Sequence, residues 1–217
     1  MSPEEKQEEV VEEEPEEEQV DEPLVGEPVA EEDVDYVVRA FLVVDMVKGF
    51  LEKQTKGGPC ALYMDGAKAV LIPNIKRELD KLTGDDLLIY LCDAHAEDDP
   101  EFKLHLKHCV EGTEESEVVD DLPVDEEESG IPTFRFNKSS FSGFRGTDLA
   151  AMLRFFEVGE IVIVGVTTEV CVFSTAQDAA ANGYPTTIIR DCVLPLDKAK
   201  GDMALEWLAK NYGVKVV

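Results

Sequence analysis

The chain has 217 residues, 44% of them apolar, which is room for one α/β domain with a sizeable core and not for a second full domain. Its net charge of −28 repels phosphate backbones and anionic membranes, so nucleic-acid and membrane-surface partners are disfavoured. The five cysteines, at 60, 92, 109, 171 and 192, are odd in number, widely spaced and without a CxxC pair, so they do not read as a disulfide framework. The N-terminus lacks a positively charged and then apolar leader, and no run approaches the roughly 18 apolar residues of a membrane span. The expectation is a reduced, cytoplasmic protein.

Residues 1–35 hold 17 Asp and Glu against the single Lys6. Rich in Glu, Pro and Val and poor in aromatics, they bury too little surface to offset the entropy of ordering and read as a disordered acidic tail. The domain is expected over 36–217. Tyr36 to Val44 is a β-branched and aromatic run, the first strand, and Asp45 stands at its C-terminal end. Residues 46–63, with Gly57-Gly58-Pro59, read as a long loop. Ala67, Val70, Leu71, Ile75, Leu79 and Leu82 recur at helical spacing within 64–82, where Pro73 should kink the helix or mark its restart. Leu87 to Cys92 is the second strand with Asp93 at its end, and a loop of roughly forty residues follows, longer than a compact domain permits without purpose.

Pro132 to Phe136 reads as the third strand, followed by Asn137-Lys138. Thr147 can cap a helix through Val158 and Ile161 to Val166 is the fourth strand. A helix carrying Cys171 runs to about Asn182, with Gly183 as its stop. Thr186 to Arg190 is the fifth strand, 197–211 an amphipathic helix and Val214 to Val217 the last strand. Strands alternating with helices and apolar on both faces imply a parallel sheet covered on each side. In such sheets ligands bind beyond the carboxyl ends of the strands. Asp45, Asp93, Lys138 and Cys171 all fall at that edge, each beside a different strand.

A thiol at the start of a helix sits among unpaired backbone N–H groups and near the positive end of the helix dipole, which favours thiolate and provides an oxyanion site. Taken alone, Cys171 reads first as a small buried hydrophobe, as most cysteines of intracellular proteins are. A thiol nucleophile requires a proton acceptor, which Asp45 can be, and a cation such as Lys138 favours the thiolate. All three histidines, His95, His105 and His108, fall within 14 residues. Imidazoles and carboxylates on one loop are a ligand set for zinc or another first-row divalent ion, and Asp93, His95, Glu101 and His108 would leave positions open to water or substrate; the alternative is an ordinary polar loop.

Val43-Val44-Asp45-Met46-Val47-Lys48-Gly49-Phe50, Asp93-x-His95, His108-Cys109-Val110-Glu111-Gly112-Thr113, Asn137-Lys138 and Gly165-Val166-Thr167-Thr168-Glu169-Val170-Cys171, in that order, resemble the isochorismatase-like cysteine hydrolases, specifically the nicotinamidase branch. The resemblance implies a three-layer α/β/α sandwich with a six-stranded, mostly parallel sheet, often assembled as a homo-oligomer. It implies a catalytic triad at Asp45, Lys138 and Cys171. An oxyanion hole is implied at the backbone N–H groups of Thr167 and Cys171, with a non-proline cis peptide before Thr167. One divalent ion per chain, zinc or alternatively manganese or iron, is implied at Asp93, His95, Glu101 and His108, where it binds the pyridine nitrogen of nicotinamide and activates water against the thioester; no organic cofactor is implied. Phe50 and Phe141 match ring contacts to the substrate, whereas His105 stands where the family usually has an aromatic stacking residue.

That departure keeps a second reading open, a related cysteine hydrolase acting on another small amide, ester or carbamoyl compound. A thiol redox protein using Cys171 is a third reading, but no resolving cysteine is identifiable from spacing. An idle fold acting as an interaction module through its acidic tail is a fourth. The partner expected is a small-molecule substrate.

Overall fold

A computed structural model describes residues 37–217; the expected disordered tail, residues 1–35, lies outside them. Strand β1 (Val38–Val44) leads to a short helix α1 (Lys48–Leu51), a two-stranded hairpin of β2 (Gln54–Thr55) and β3 (Gly58–Pro59), and helix α2 (Ala67–Leu79). Strand β4 (Leu87–Asp93) is followed by a long segment holding two 3₁₀ turns and a single helical turn, α3 (Glu126–Ser129). Then come β5 (Thr133–Lys138), α4 (Leu149–Phe155), β6 (Val158–Val166), a π-helical turn (Thr168–Val172), α5 (Phe173–Ala181), β7 (Thr186–Leu194), α6 (Lys198–Tyr212) and β8 (Lys215–Val216).

Six strands form one sheet in the order β5-β4-β1-β6-β7-β8, and each neighbouring pair is parallel. Alternate residues of β1 enter different cores: Phe41 and Val43 pack with Leu71 and Ile75 of α2, while Ala40, Leu42 and Val44 pack with Leu149, Leu153, Ala176 and Leu205 of α4, α5 and α6. Burial on both faces accounts for strands that are apolar throughout. The result is the expected three-layer sandwich with a six-stranded parallel sheet. Successive crossovers run outward from β1 to one side and from β6 to the other, so the order reverses between these two central strands. Such a reversal opens a crevice at the strands' carboxyl ends.

Several boundaries differ from the sequence reading. The expected loop 46–63 contains α1 and the hairpin, elements too short to show a period. Pro73 lies inside one helix instead of restarting it; the ring is exposed, which leaves the carbonyl one turn earlier open to solvent. The helix expected through Val158 stops at Phe155, because Glu157 takes a left-handed φ of 52° and Val158 already pairs with Val38. Thr147 accepts a hydrogen bond from Leu149 N–H at 3.2 Å, although Asp148 is the terminal residue of that helix. Strand β7 runs four residues beyond Arg190.

Candidate active site

Asp45 leaves β1 with φ 52°, left-handed backbone that a short polar side chain tolerates better than a branched one. Its N–H donates to Leu91 O at 2.8 Å, and its Oδ1 accepts from Asp93 N–H at 2.8 Å. The ends of β1 and β4 are thereby tied together through the Asp45 carboxylate. Lys138 closes β5 in register with Asp93 on β4. Its Nζ donates to Asp45 Oδ2 at 2.8 Å, to Asp93 Oδ1, and to Cys171 Sγ at 3.7 Å. All four residues are buried.

One ammonium thus stands among two carboxylates and a thiol. Carboxylate oxygens of Asp45 and Asp93 and the Cys171 sulfur lie within 4.8 Å of one another; the lysine already supplies a cation there. Burial, and then the neighbouring Asp93 carboxylate, push Asp45 up from 3.8 to about 6, against the pull of Lys138. Burial also favours a neutral Asp93, but Lys138 and the two imidazoles outweigh it and hold that carboxyl well below its ordinary range. Burial pushes the Cys171 thiol well up, Lys138 notwithstanding. The helix-start expectation of a resting thiolate is therefore outweighed by desolvation, and the sulfur needs a base to lose its proton.

The second carboxylate oxygen of Asp93 faces the histidines. Asp93 Oδ2 is 3.7 Å from His95 Nε2 and 3.7 Å from His108 Nε2. His95 is brought there by continuation of β4: its N–H donates to Cys109 O, and its carbonyl accepts from Glu111 N–H, each at 2.9 Å. This single bridge carries His108 alongside. His108 Nδ1 donates to Leu106 O at 2.7 Å and His95 Nδ1 meets Asp99 Oδ2 at 3.2 Å. With both Nδ1 atoms engaged, the Nε2 atoms are presented to Asp93.

These residues fit a divalent ion. His95 Nε2 is buried without a hydrogen-bond partner among the described residues, which is costly for a polar atom unless something else satisfies it. A separation of 3.7 Å is long for a hydrogen bond but close to the roughly 3.4 Å between tetrahedral ligands each about 2.1 Å from zinc. Burial resists charge on His95, but Asp93 outweighs it and pushes the imidazole up to about 9. Protons and metal therefore compete for the same atoms.

The structure brings together Asp93, His95 and His108, and this grouping among the described residues does not include Glu101. Glu101 lies on the 3₁₀ turn Pro100–Lys103, whose first N–H groups are capped by Asp99: Glu101 N–H donates to Asp99 Oδ1 at 2.8 Å. Phe50, on α1, packs 5.7 Å from the His108 ring. His105 and Phe141 pair with each other at 6.3 Å, both exposed, outside that cluster. Sequence reasoning missed Asp99 and Phe102, whose ring lies 5.4 Å from His95 and 5.7 Å from His108. An Asp directly before a Pro is a helix-start signal, and it was the available clue to Asp99.

On the other side of the crevice, the Val166–Thr167 peptide is cis, as expected, and Gly165 before it has φ 113°. A Cβ on Gly165 would lie 1.9 Å from Val44 O, so only glycine lets β6 pass the end of β1 this closely. Cys171 sits in the π-helical turn that precedes α5. Glu169 of the same turn accepts N–H groups of Leu196 and Asp197 at 3.0 and 2.9 Å, which anchors the turn to the segment after β7. A cavity of about 250 Å³, lined in part by Thr55, Lys107 and Thr113, borders His108. A larger one of about 630 Å³ lies by Lys76, Asp80 and Asp121, away from these residues, so size does not locate the chemistry.

A buried thiol beside a carboxylate and an ammonium, at the switch point of a doubly wound sheet, is an arrangement able to serve as a cysteine nucleophile with its base. The isochorismatase domain model matches residues 39–217. A protein of Arabidopsis thaliana named a probable inactive nicotinamidase is 32% identical over 168 residues, 70% of this chain and 78% of its own. The pyrazinamidase of Pyrococcus horikoshii, solved in complex with zinc, is 32% identical with a TM-score of 0.69, covering 82% of this chain and 98% of that one. N-carbamoylsarcosine amidase of Thermoplasma acidophilum is 27% identical with a TM-score of 0.64, covering 83% and 95%. The chain belongs to the isochorismatase family, in its nicotinamidase branch, a family of hydrolases that act on amides.

Proposed function

We propose that the protein is a metal-dependent nicotinamide amidohydrolase, converting nicotinamide and water to nicotinate and ammonia. The observation that carries this reading is Asp93, whose carboxylate meets Lys138 with one oxygen and faces His95 and His108 with the other. A site for a divalent ion is thus contiguous with the nucleophile. Asp93, His95 and His108 would hold the ion, with Glu101 close enough in sequence to complete the set, and the ion would supply a Lewis-acid contact to a heteroaromatic nitrogen.

The chain's own residues carry the reaction. Asp45, a carboxylate at neutral pH even with its raised value of about 6, takes the Cys171 proton, and Lys138 stabilises the negative charge as it moves onto sulfur. The thiolate attacks the carboxamide carbon, and the N–H groups of Thr167 and Cys171 hold the oxyanion. The C–N bond breaks, and the nitrogen leaves as ammonia with the proton from Asp45. Water then adds to the thioester with Asp45 as base, the C–S bond breaks, and nicotinate leaves as the thiol is restored. Phe50, 5.7 Å from the His108 ring, would pack on the substrate, with His105 and Phe141 as an outer aromatic pair.

The reading includes a cytoplasmic setting and association of copies into a homo-oligomer; no described helix is long and apolar enough to cross a membrane. Exposed His105, where a stacking aromatic is the family's habit, favours a second reading in which the substrate is another small amide or carbamoyl compound. Ammonia release from nicotinamide, with metal content measured on the same sample, tests both. Release at one metal per chain supports the first reading. Bound metal with nicotinamide untouched moves the assignment to the second, and a protein that neither binds metal after reconstitution nor hydrolyses amides overturns both.

A further inference from the structure

Helix α6 carries the surface on which copies of the chain would meet; this inference rests on the association proposed above. On the helix, Met203 is 64% exposed and Trp207 56%, and their spacing of four residues places them on one face. Apolar groups of this size in one stripe mark an interaction surface more often than they decorate a monomer. Beside them runs a groove of about 490 Å³ lined by Glu169, Phe173, Lys200, Met203, Ala204 and Trp207. The same face therefore has a large projecting ring, the only tryptophan of the chain, and an apolar recess next to it.

We propose that a second copy of this chain docks on this face, with the two α6 helices antiparallel about a two-fold axis at Met203. An isologous interface requires a patch complementary to itself, and the charges select that occupant. Lys200 and Glu206 lie three residues to either side of Met203, both exposed. The ion pairs at the start of α6, Arg190–Asp202 and Lys198–Asp202, leave both of them out. In the antiparallel register each Lys200 faces Glu206 of the other copy, and each Trp207 lies over the Lys200–Phe173 end of the opposite groove. An unrelated apolar partner would not require opposite charges placed symmetrically about one methionine. Glu169, which anchors the catalytic turn through Leu196 and Asp197, forms part of the groove wall, so docking would brace the turn that holds Cys171.

Sedimentation equilibrium on the full chain, from low to high micromolar concentration, tests this with wild type, Trp207→Ala, Lys200→Glu, Glu206→Lys and an equimolar mixture of the last two. The expected result is a wild-type dimer, weakened about tenfold or more by Trp207→Ala, as for a central aromatic anchor. Each charge reversal alone weakens it, and the mixture restores it because both cross-pairs are again of opposite sign. All three residues are exposed and outside the catalytic cluster, so each variant should keep the wild-type far-UV spectrum, and any fall in melting temperature should track the loss of the dimer. A wild-type monomer throughout overturns the association itself. An assembly indifferent to all three substitutions leaves association standing and overturns the surface, and a mixture that fails to recover overturns the two-fold register.

Discussion

Lys138 Nζ stands 3.7 Å from the Cys171 sulfur, while its nearer contacts go to the carboxylates of Asp45 and Asp93. In the resting site the ammonium chiefly holds two buried anions together, and in the mechanism proposed above it would act on the sulfur only as the thiol loses its proton. The proposed mechanism thus gives a structural and a catalytic duty to one side chain.

Lys138→Met is expected to destabilise the fold by about 3–5 kcal/mol, the usual cost of leaving a buried charge without its partner, and to abolish turnover. Urea unfolding read beside an amide hydrolysis assay checks it. An active, fully stable variant would remove Lys138 from both roles.

Asp45 gives a pH dependence whose sign is opposite for stability and for activity. Its folded value, about 6, lies above its ordinary 3.8, so the folded state binds this proton more tightly than the unfolded one. The contribution is fully present below pH 3.8 and is lost as pH rises through about 6, on the order of 3 kcal/mol for a shift of this size. Asp93, held below its ordinary value, contributes above pH 3.8 and loses its contribution as the solution is made more acid. His95, raised from 6.5 to about 9, acts in a higher window and loses its contribution as pH rises through about 9. Turnover, which needs the Asp45 carboxylate, should climb through about pH 6. Urea unfolding of metal-free wild type and Asp45→Asn across this range should show the falling stability limb only in wild type.

Asp99→Asn should lower metal affinity by about 10–100-fold, the usual effect of removing a carboxylate behind a ligating imidazole. Asparagine still offers an oxygen to Glu101 N–H, so the 3₁₀ turn and the melting temperature should be nearly unchanged. Competition against a chelator measures the affinity; equal values for variant and wild type would mean that the 3.2 Å contact to His95 does not orient the ring.

Two substitutions separate the nucleophile from the metal. Cys171→Ala should eliminate turnover with metal content intact, and His108→Ala should lose metal and activity together. Metal analysis and ammonia release on the same preparations distinguish them.

Gly165→Ala should cost more than about 4 kcal/mol, the range reached only by severe backbone or core defects, because its methyl would overlap Val44 O at a φ of 113°. Loss of soluble, cooperatively unfolding protein is the expected observation.

Asp45, Asp93, Lys138 and Cys171 could be collected from the sequence because a parallel α/β chain brings its strand ends to one edge, and strand ends are visible as the close of apolar runs. What those residues do to one another was less visible. Asp93 reads as a metal ligand alone until β4 and β5 are set side by side with Asp93 opposite Lys138. The Asp99–His95 contact depends on the path of a loop with little periodicity. Phe156 and Val158 continue an apolar pattern that suits a helix, and only the long-range pairing of Val158 with Val38 decides for a strand. Glu101 enters the ligand set as a carboxylate on the same loop as the histidines, whereas the folded chain gives the nearer role, beside the His95 ring, to its neighbour Asp99.

The shared carboxylate of Asp93 also constrains how this protein can change over generations. A lineage that gave up His95 and His108 would still need an anion facing Lys138, so the aspartate should outlast the imidazoles. The reverse path is closed, since replacing Asp93 first would strip the lysine of a counter-charge and the histidines of their neighbouring carboxylate in one step. A metal site of the kind proposed here would therefore be easier to lose than to rebuild.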